Sequence, residues 1–344
     1  MTPRSRELQL TAGGLSGPLL IPSISSKGFP VVGELSEAGA ALLIAGPDIT
    51  EALLISAYDI YHKLLPDHDR LLGPEHAQTL FGTPALLVVD SGGYELSDVF
   101  ESGEVRRGRR ITSPFGRAEF EALVDRLPSE RDLLVVTYDA PDAKQAGYRR
   151  QRELAQHFAA SRPHLRIDFL LKPPAGDRFV VPAKVAPCAA DLRAFDVVGV
   201  TEKELGDGLL DRMICLARLR RLLDDSGADR VPLHVFGGLD PVLTPLYFMA
   251  GAEIFDGLSW LRYAYHDDDA VHPEELSALT GNIESIQVRR DAQRYLSNLQ
   301  QLGRLKHALE RWAREPMRYE ILGRHHVKLR EIHETLQARL GERM

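Results

Sequence analysis

Residues 232–262 read Pro-Leu-His-Val-Phe-Gly-Gly-Leu-Asp-Pro-Val-Leu-Thr-Pro-Leu-Tyr-Phe-Met-Ala-Gly-Ala-Glu-Ile-Phe-Asp-Gly-Leu-Ser-Trp-Leu-Arg and show the pattern on which the fold depends. An apolar run ends at Gly237-Gly238, a helical stretch follows, and a second apolar run at 252–255 stops at Asp256. This order predicts a strand, a helix and a second strand, with Asp256 where a buried strand meets its loop. A carboxylate in that position is a candidate nucleophile.

The same alternation runs through most of the chain. Short apolar runs with the length and β-branched content of buried parallel strands occur at 41–45, 85–89, 133–137, 167–171, 179–185, 196–200, 232–236 and 252–255. Helix-like stretches occur at 51–65, 117–127, 146–160, 209–224 and 242–250. About eight strands with intervening helices predict an α/β protein built as a (β/α)8 TIM-like barrel. The alternative, an open doubly wound sheet, usually carries a Gly-rich phosphate loop, and the sequence has no G-x-G-x-x-G or Walker pattern.

Both ends of the chain differ from this repeat. Residues 8–22 contain two strand-like runs joined by glycines, which predicts an N-terminal β-hairpin outside the barrel. After residue 272 the pattern is helical, so we expect a barrel with its hairpin over 1–272 and a helical appendage over 273–344. The formal net charge is −7, yet residues 289–344 hold 13 Lys+Arg and 7 Asp+Glu. This basic segment is suited to phosphate contacts, or it is a charged outer helix face packed on the barrel.

Composition limits the classes of protein. The two cysteines, Cys188 and Cys215, allow neither a disulfide framework nor a cysteine-rich zinc site, so we expect no metal and no cofactor. No apolar stretch approaches membrane-spanning length, and the first residues lack the apolar core of a secretory signal. We therefore expect a cytoplasmic protein without a membrane partner.

Polar residues follow the apolar runs at the points where barrel enzymes carry their chemistry. They are Asp90-Ser91-Gly92-Gly93-Tyr94, Asp139, Lys172, Gly199 with the following Thr201-Glu202, Gly237-Gly238 and Asp256. Taken singly, each aspartate is equally explained as a helix cap or a turn former. Taken together, they predict three carboxylates at one barrel mouth. Asp-Ser-Gly-Gly is the most specific segment, because glycines let backbone N–H groups approach a ligand closely.

Five segments, in order over residues 86–262, resemble motifs of the tRNA-guanine transglycosylase family. Asp90-Ser-Gly-Gly-Tyr-Glu95 is similar to that family's Asp-Ser-Gly-Gly-Phe-Gln, and Gly251-Ala-Glu-Ile-Phe-Asp256 with Arg262 is similar to its nucleophile segment. Thr137-Tyr-Asp139 resembles its Ser-Phe-Asp. The other two matches are His234-Val-Phe-Gly237 with Tyr-Leu-Met-Gly, and Val198-Gly199 through Leu205-Gly-Asp-Gly208 with Gly-Gly-Leu-x-Val-Gly-Glu-Gly.

The resemblance implies a base exchange in a nucleic acid, in which an aspartate expels guanine, holds the sugar as an ester and passes it to a 7-deazaguanine base. Asp256 would be the nucleophile and Asp90 the general base. Asp139 would read the N1–H and exocyclic amine of guanine, Ser91 and the peptide of Gly199 would complete the base edge, and Arg262 would contact neighbouring nucleotides. Tyr94 and Phe236 would sandwich the ring, although both are equally plausible as core residues. Gly92, His234, Gly237 and Lys172 complete the expected substrate-binding set, with Lys172 where the family has glutamine.

The sequence departs from that family in two places. No cysteine follows residue 215, so the zinc site found downstream of the family's nucleophile is missing. The segment after Asp256 has Gly257 and Trp260-Leu261 in place of the family's cysteine and Pro-Thr. We expect these changes on the face that holds the polynucleotide, so the polynucleotide should differ from the family's ordinary tRNA substrate or be held differently. One branch of the family inserts 7-deazaguanines into DNA, and such a target fits the altered face and the basic helical tail, so the expected partner is DNA or tRNA. A homodimer or a partner subunit is equally open.

Two other functions fit the same sequence. A silent paralogue that binds nucleic acid or a partner subunit would explain the missing zinc site. A barrel glycosidase acting on free nucleosides would use the same pair of carboxylates.

Overall fold

The structure, a computed structural model, describes residues 6–11, 13–29, 31–32, 35–73, 79, 82, 84–96, 115–139 and 147–341. Its strands are β1 (Glu7–Leu10), β2 (Gly13–Ser16), β3 (Leu19–Ile24), β4 (Val31–Val32), β5 (Leu35–Ser36), β6 (Ala52–Ser56), β7 (Leu86–Asp90), β8 (Leu133–Val136), β9 (Arg166–Leu171), β10 (Val197–Thr201), β11 (Leu233–Phe236), β12 (Ile254–Gly257), β13 (Ala264–His266) and β14 (Asp269–Val271).

The α-helices of the described part are α1 (Glu37–Ala45), α2 (Ala57–Tyr61), α3 (His68–Leu71), α4 (Gly93–Leu96), α5 (Arg117–Val124), α6 (Gly147–Ala160), α7 (Pro182–Val185), α8 (Leu209–Asp225), α9 (Leu243–Met249), α10 (Ser259–Arg262), α11 (Pro273–Thr280), α12 (Gln287–Arg314) and α13 (His326–Gly341). Short 3-10 helices lie at Gly46–Asp48, Ala186–Ala194, Glu202–Glu204 and Tyr319–Leu322.

Eight parallel strands close into a barrel in the order β3-β6-β7-β8-β9-β10-β11-β12. Strand β12 completes the circle by pairing with β3, which places Asp256 opposite Ile21. Helices lie between successive barrel strands, the β1–β2 hairpin is antiparallel, and the chain ends in helices. The predicted (β/α)8 barrel with an N-terminal hairpin and C-terminal helices is therefore confirmed.

Two of the predicted strands are wrong. Residues 41–45 belong to helix α1, and residues 179–185 include helix α7. Helix α1 is apolar around most of its surface and begins where the Ser36 side chain accepts a hydrogen bond from Gly39 N at 2.9 Å. A short apolar run that is buried on several sides has no periodicity to separate helix from strand.

Two barrel strands were also missed. Strand β3 starts inside the stretch 8–22, where only a hairpin was predicted, and continues past residue 22. Strand β6 occupies the first part of the stretch 51–65, which was predicted as a helix. All five residues of β6 are buried, as its position between two barrel strands requires. The expected total of eight strands was correct because two false strands offset two missed ones.

The barrel interior is apolar at one end and polar at the other. The hairpin covers the N-terminal ends of the strands, where Leu8 packs with Leu19, Leu86, Val197 and Ile254. Burial of side chains of this size contributes about 1.5–3 kcal/mol each. Toward the C-terminal ends the buried polar residues include Ser23, Ser56, Asp168, His234 and Asp256, and the half-buried Asp90 ends β7. The packed end supports the barrel, and the polar end holds the candidate site residues.

Helix α12 joins the C-terminal helices to the barrel. The Asn298 side chain accepts a hydrogen bond from Tyr265 N at 2.8 Å and donates to Trp260 O at 2.7 Å and Tyr263 O at 2.8 Å. The buried rings of Trp260 and Tyr295 meet edge to face, 5.9 Å between centroids. The segment that follows the candidate nucleophile is therefore held from outside by α12. None of the helices in the described ranges has the length and apolar character needed to cross a membrane.

Candidate active site

Asp256 lies on β12 at the polar end of the barrel and is 6% exposed. Its Oδ2 accepts a hydrogen bond from Ser23 Oγ at 2.7 Å, and its Oδ1 accepts one from Gly237 N at 3.1 Å. His234 Nε2 lies 3.2 Å from Oδ1. Ser23 is itself fixed, because its hydroxyl oxygen accepts from Gly257 N at 3.1 Å. Groups on β3, on β11 and in the loop after β11 thus stabilise a negative charge on this carboxylate.

His234 connects Asp256 to a second carboxylate, Asp168. Its Nδ1 lies 2.6 Å from Asp168 Oδ2, and both side chains are fully buried. Burial lowers the pKa of His234, but Asp168 and Asp256 outweigh that effect and raise the pKa to about 9. Sequence reasoning missed Asp168, although a charged residue inside the apolar run Ile167-Asp-Phe-Leu-Leu was a usable signal.

Gly199 makes this contact sterically feasible. It lies on β10, between the strands of Asp168 and His234, and pairs with His234 in register. A methyl group at Gly199 would come within 2.7 Å of Asp168 Oδ1 and 2.4 Å of the Phe236 ring. The Phe236 ring covers His234, with ring centroids 3.9 Å apart. Gly199 was predicted to offer its peptide to a base, and the structure shows a further requirement for its missing side chain.

Asp90 ends β7, and its surroundings differ from those of Asp256. Burial first, and then the carboxylates of Glu95 and Asp256, raise the pKa of Asp90 to about 7. Gly92 N donates to Asp90 Oδ2 at 3.1 Å, and Gly92 has φ +84°, where a side chain would be strained and would meet Tyr58. Glycine is therefore required in the Asp-Ser-Gly-Gly turn.

Two further carboxyls surround Asp90. Glu95 accepts hydrogen bonds from Ser25 Oγ at 2.5 Å and from Ser56 Oγ at 2.8 Å. Asp59 accepts bonds from Ser26 N at 2.7 Å and Ser26 Oγ at 2.5 Å. Burial raises the pKa of each of these groups to about 7. The mouth therefore carries a cluster of acids that exchange protons near neutral pH, and sequence reasoning identified only Asp90.

Ser91 and Asp139 approach the same space. Ser91 is buried, and among the residues described here its hydroxyl has no hydrogen-bond partner. A methyl group on Gly93 would lie 3.3 Å from Asp139 Cβ, so the Asp-Ser-Gly-Gly turn packs directly against Asp139. The turn and the end of β8 therefore form adjacent walls of one site.

Lys172 follows β9 and is directed at acceptors within the protein. Its Nζ lies 2.9 Å from Glu204 Oε2 and 3.3 Å from Asp139 Oδ2, and it donates to Thr201 Oγ1 at 3.0 Å. Burial lowers the pKa of Lys172, but the two carboxylates outweigh it and raise the pKa. The Gln151 side chain bonds both backbone groups of Lys172, which fixes its position. In this arrangement Lys172 orients Asp139.

Tyr94 and Arg262 meet across the mouth. Arg262 Nη2 donates to Tyr94 OH at 2.8 Å, and the Arg262 guanidinium lies 5.7 Å from the Phe29 ring centroid. Lys27 Nζ lies 4.4 Å from the centroid of the Tyr94 ring and donates to Tyr94 O at 2.8 Å. Two cations therefore flank Tyr94, on the side of the mouth opposite Phe236 in the strand order.

The changes after the candidate nucleophile lie in the core. Trp260 and Leu261 are fully buried, and Trp260 Nε1 donates to Ser23 O at 3.0 Å. Gly257 packs against Leu239. The expectation that Trp260 and Leu261 form the face toward a polynucleotide was wrong, because neither side chain reaches the surface.

Most cations of the C-terminal helices face acidic side chains. Ion pairs join Arg290 to Glu274, Arg294 to Asp291, Arg324 to Asp269 and Lys328 to Glu331. Arg304, Arg311 and Arg314 are exposed on α12 and have no acidic partner among the described residues. Lys306 on the same half of α12 contacts Glu51, just before β6, so these arginines lie toward the barrel end opposite the mouth.

Comparison with known proteins finds no match to a protein-family model and no match among curated proteins. Within the described ranges, no group of three or more His, Cys, Asp and Glu side chains is arranged to hold a metal ion. A proposal for the function therefore rests on the geometry of the barrel mouth.

Proposed function

We propose that this chain is a transglycosylase that replaces a guanine in RNA or DNA with a 7-deazaguanine through a covalent aspartyl-glycosyl intermediate. One observation carries the proposal: two carboxylates share one barrel mouth in opposite surroundings. Asp256 receives hydrogen bonds that stabilise its negative charge, and the pKa of Asp90 is raised to about 7. Double displacement at a sugar carbon needs one ionised nucleophile and one group that exchanges protons.

In the first step an Asp256 oxygen bonds to C1′ and the bond from C1′ to N9 of guanine breaks. The electron pair stays on the leaving base, which takes the proton of the Asp90 carboxyl. In the second step the Asp90 carboxylate accepts the proton from N9–H of the incoming 7-deazaguanine. N9 then bonds to C1′, and the ester bond to Asp256 breaks and restores its carboxylate. Protons and electron pairs are therefore balanced in both steps.

The base would lie between Tyr94 and Phe236, where stacking contributes about 1–3 kcal/mol per base. Asp139, oriented by Lys172, would accept the N1–H and amine protons of guanine. The buried Ser91 hydroxyl would supply a further donor or acceptor at the base edge. Because C1′ of a paired guanine is inaccessible, the substrate strand must be single-stranded or must flip the base outward.

The test is to trap the intermediate. Wild-type protein is incubated with RNA and, separately, DNA oligonucleotides containing an unpaired guanine, without an incoming base, and denaturing gels are examined for a covalent complex. We expect a complex with one of the two polymers, its discharge by added 7-deazaguanine, and its absence in D256N. D225N, which changes an exposed aspartate at the end of α8, is the matched control and keeps the complex.

Other outcomes favour other functions. Release of guanine from free guanosine, without any need for a polynucleotide, would instead favour a glycosidase acting on nucleosides. If no complex forms and labelled guanine does not exchange into RNA or DNA, the proposal is wrong and a silent binding protein is favoured.

A further inference from the structure

The barrel contains a fully buried imidazole between two carboxylates. His234 on β11 faces Asp168 Oδ2 through Nδ1 at 2.6 Å and Asp256 Oδ1 through Nε2 at 3.2 Å. Asp168 lies two strands away on β9, and it reaches His234 only because β10 has Gly199 between them. Asp168 is fully buried and has no exposed surface to offer a substrate, so a role in binding substrate does not explain it.

The geometry favours a charged imidazole. An ionised carboxylate accepts hydrogen bonds and donates none, so both ring nitrogens of His234 must carry hydrogen if both aspartates are ionised. The alternative, a neutral ring, would place an unpaired carboxylate or a protonated carboxyl in the barrel interior. An imidazolium between two carboxylates satisfies both nitrogens and leaves one net negative charge, which Ser23 and Gly237 stabilise at Asp256.

The charged and titratable groups around the pair come from several strands. They are Asp168 on β9, Asp256 on β12, Asp90 at the end of β7 and Asp196 just before β10. All four are acidic, and Glu95 adds a further carboxyl beside Asp90. Mutual repulsion in such a cluster favours protonation of its members. His234 contacts only Asp256 and Asp168 among them, so its charge acts on one side of the mouth.

We propose that the buried Asp168–His234 pair assigns the two mouth carboxylates their different roles, holding Asp256 ionised as the nucleophile and leaving Asp90 free to take up a proton. His234 and Asp168 are positioning residues in this scheme, because they act through Asp256. When Asp256 becomes an ester, the pair that remains is a neutral ion pair, so the buried site carries less net charge in the intermediate. The inference rests on the proposed function for the chemical step, but the charge of His234 does not.

The charge can be measured in the free protein. Nuclear magnetic resonance of the histidine ring carbons and nitrogens, with His234 assigned by comparison with H234Q, gives its protonation state against pH. We expect His234 to be doubly protonated at pH 7 and to titrate near pH 9. His333, whose pKa burial lowers to about 4, is an internal reference for a buried neutral ring. In D168N, we expect the titration of His234 to move to lower pH.

The consequence for the nucleophile is measured as the rate of covalent complex formation from pH 4.5 to 7. The acid limb of this profile is the fall in rate at low pH. H234Q keeps a hydrogen-bond donor near Asp256 but removes the positive charge of the imidazole, so we expect its acid limb to move to higher pH. If the acid limb moves by about one pH unit, the variant is about tenfold slower than wild type at a pH on that limb. Loss of packing alone would lower the rate at every pH without moving the limb. H333Q, the same change at a buried histidine of α13, is the control, and its limb should not move.

The outcomes separate this inference from the proposed function. A neutral His234 at pH 7, a titration unaffected in D168N, or an acid limb unmoved in H234Q would each overturn the inference even if the covalent complex forms. If wild type forms no complex with RNA or DNA, the proposed function fails, and the titration still decides whether the barrel holds this cation. Far-ultraviolet circular dichroism of each variant establishes that it is folded.

Discussion

At the scale of single residues, Asp90 and Asp256 are the same side chain in two environments. Asp256 accepts hydrogen bonds from the Ser23 hydroxyl at one oxygen and from Gly237 N at the other, and His234 Nε2 lies beside that second oxygen. Asp90 is half-buried beside another carboxyl, Glu95, and accepts a hydrogen bond from Gly92 N. One environment favours the charged form and the other favours protonation, and two steps of base exchange need both.

The pH dependence of complex formation follows from Asp90. Its pKa is raised to about 7, so the carboxyl is protonated below that pH and ionised above it. Departure of guanine uses the protonated form, and we expect single-turnover complex formation to fall as pH rises through about 7. In D90N, complex formation should be about 10²–10⁴-fold slower at pH 6, and the fall near pH 7 should vanish.

D59N is the control for that experiment. It changes a neighbouring buried acid that has no assigned part in proton transfer, and it should retain the fall near pH 7. A fall of equal size and midpoint in D90N would show that another group transfers the proton.

At the scale of elements, β10 is the strand that allows side chains on its two neighbours to meet. Its residue Gly199 pairs with Leu170 of β9 and His234 of β11. The Phe236 ring and Asp168 Oδ1 occupy the space that a side chain there would need. A side chain at Gly199 would collide with both Phe236 and Asp168, so β10 affects the contact between Asp168 and His234 without contributing a side chain to it.

G199A is expected to be destabilising and inactive. The added methyl group would lie 2.4 Å from the Phe236 ring and 2.7 Å from Asp168 Oδ1, so the strand or the side chains must move. Overpacking of this kind costs about 1–3 kcal/mol in the free energy of unfolding, measured by urea denaturation. Complex formation should be lost in the folded fraction.

The matched change is G303A on α12, where no atom lies within 4 Å of the added methyl group. Because alanine favours a helix over glycine, G303A should be more stable than wild type by about 0.5–1 kcal/mol and fully active. A G199A variant as stable and as active as G303A would contradict the steric account.

At the scale of the whole molecule, the C-terminal helices are part of the support of the site. Asn298 on α12 bonds to Trp260, Tyr263 and Tyr265, and Trp260 bonds to the backbone of Ser23. Ser23 in turn donates to Asp256. A chain of direct contacts therefore runs from an outer helix to Asp256, through the core residues Trp260 and Ser23.

N298A removes three hydrogen bonds of that chain and leaves buried backbone groups without partners. We expect a loss of about 2–4 kcal/mol in the free energy of unfolding, since each unsatisfied buried group costs about 1–3 kcal/mol. Complex formation should slow more than guanine binding weakens, because Asp256 shifts while the base walls stay in place. N282A, an exposed asparagine before α12, is the control. Unchanged stability in N298A would show that α12 is only loosely attached.

Sequence patterns located most of the barrel strands but missed some of the residues that point into the barrel. The runs that became β7, β8, β9, β10, β11 and β12 were found because each is a short apolar segment followed by a polar turn. Residues 41–45 were predicted as a strand and form a helix, whereas Ala52–Ser56 were predicted as part of a helix and form a strand. Both segments are apolar and buried on several sides, so their sequences do not separate the two structures. Asp168 and Ser23 were missed because neither stands at a strand end, although both point into the barrel.

The pattern along the chain was enough to predict a barrel of alternating strands and helices, to locate six of its eight strands, and to place Asp90, Asp139 and Asp256 where strands meet loops. These are properties of local periodicity and composition, which are written along the chain. Only the tertiary structure decided that His234 bridges Asp168 and Asp256, that Lys172 faces Asp139 and Glu204, and that Trp260 is buried. Those contacts join residues far apart in sequence, and the closure of the barrel brings them together.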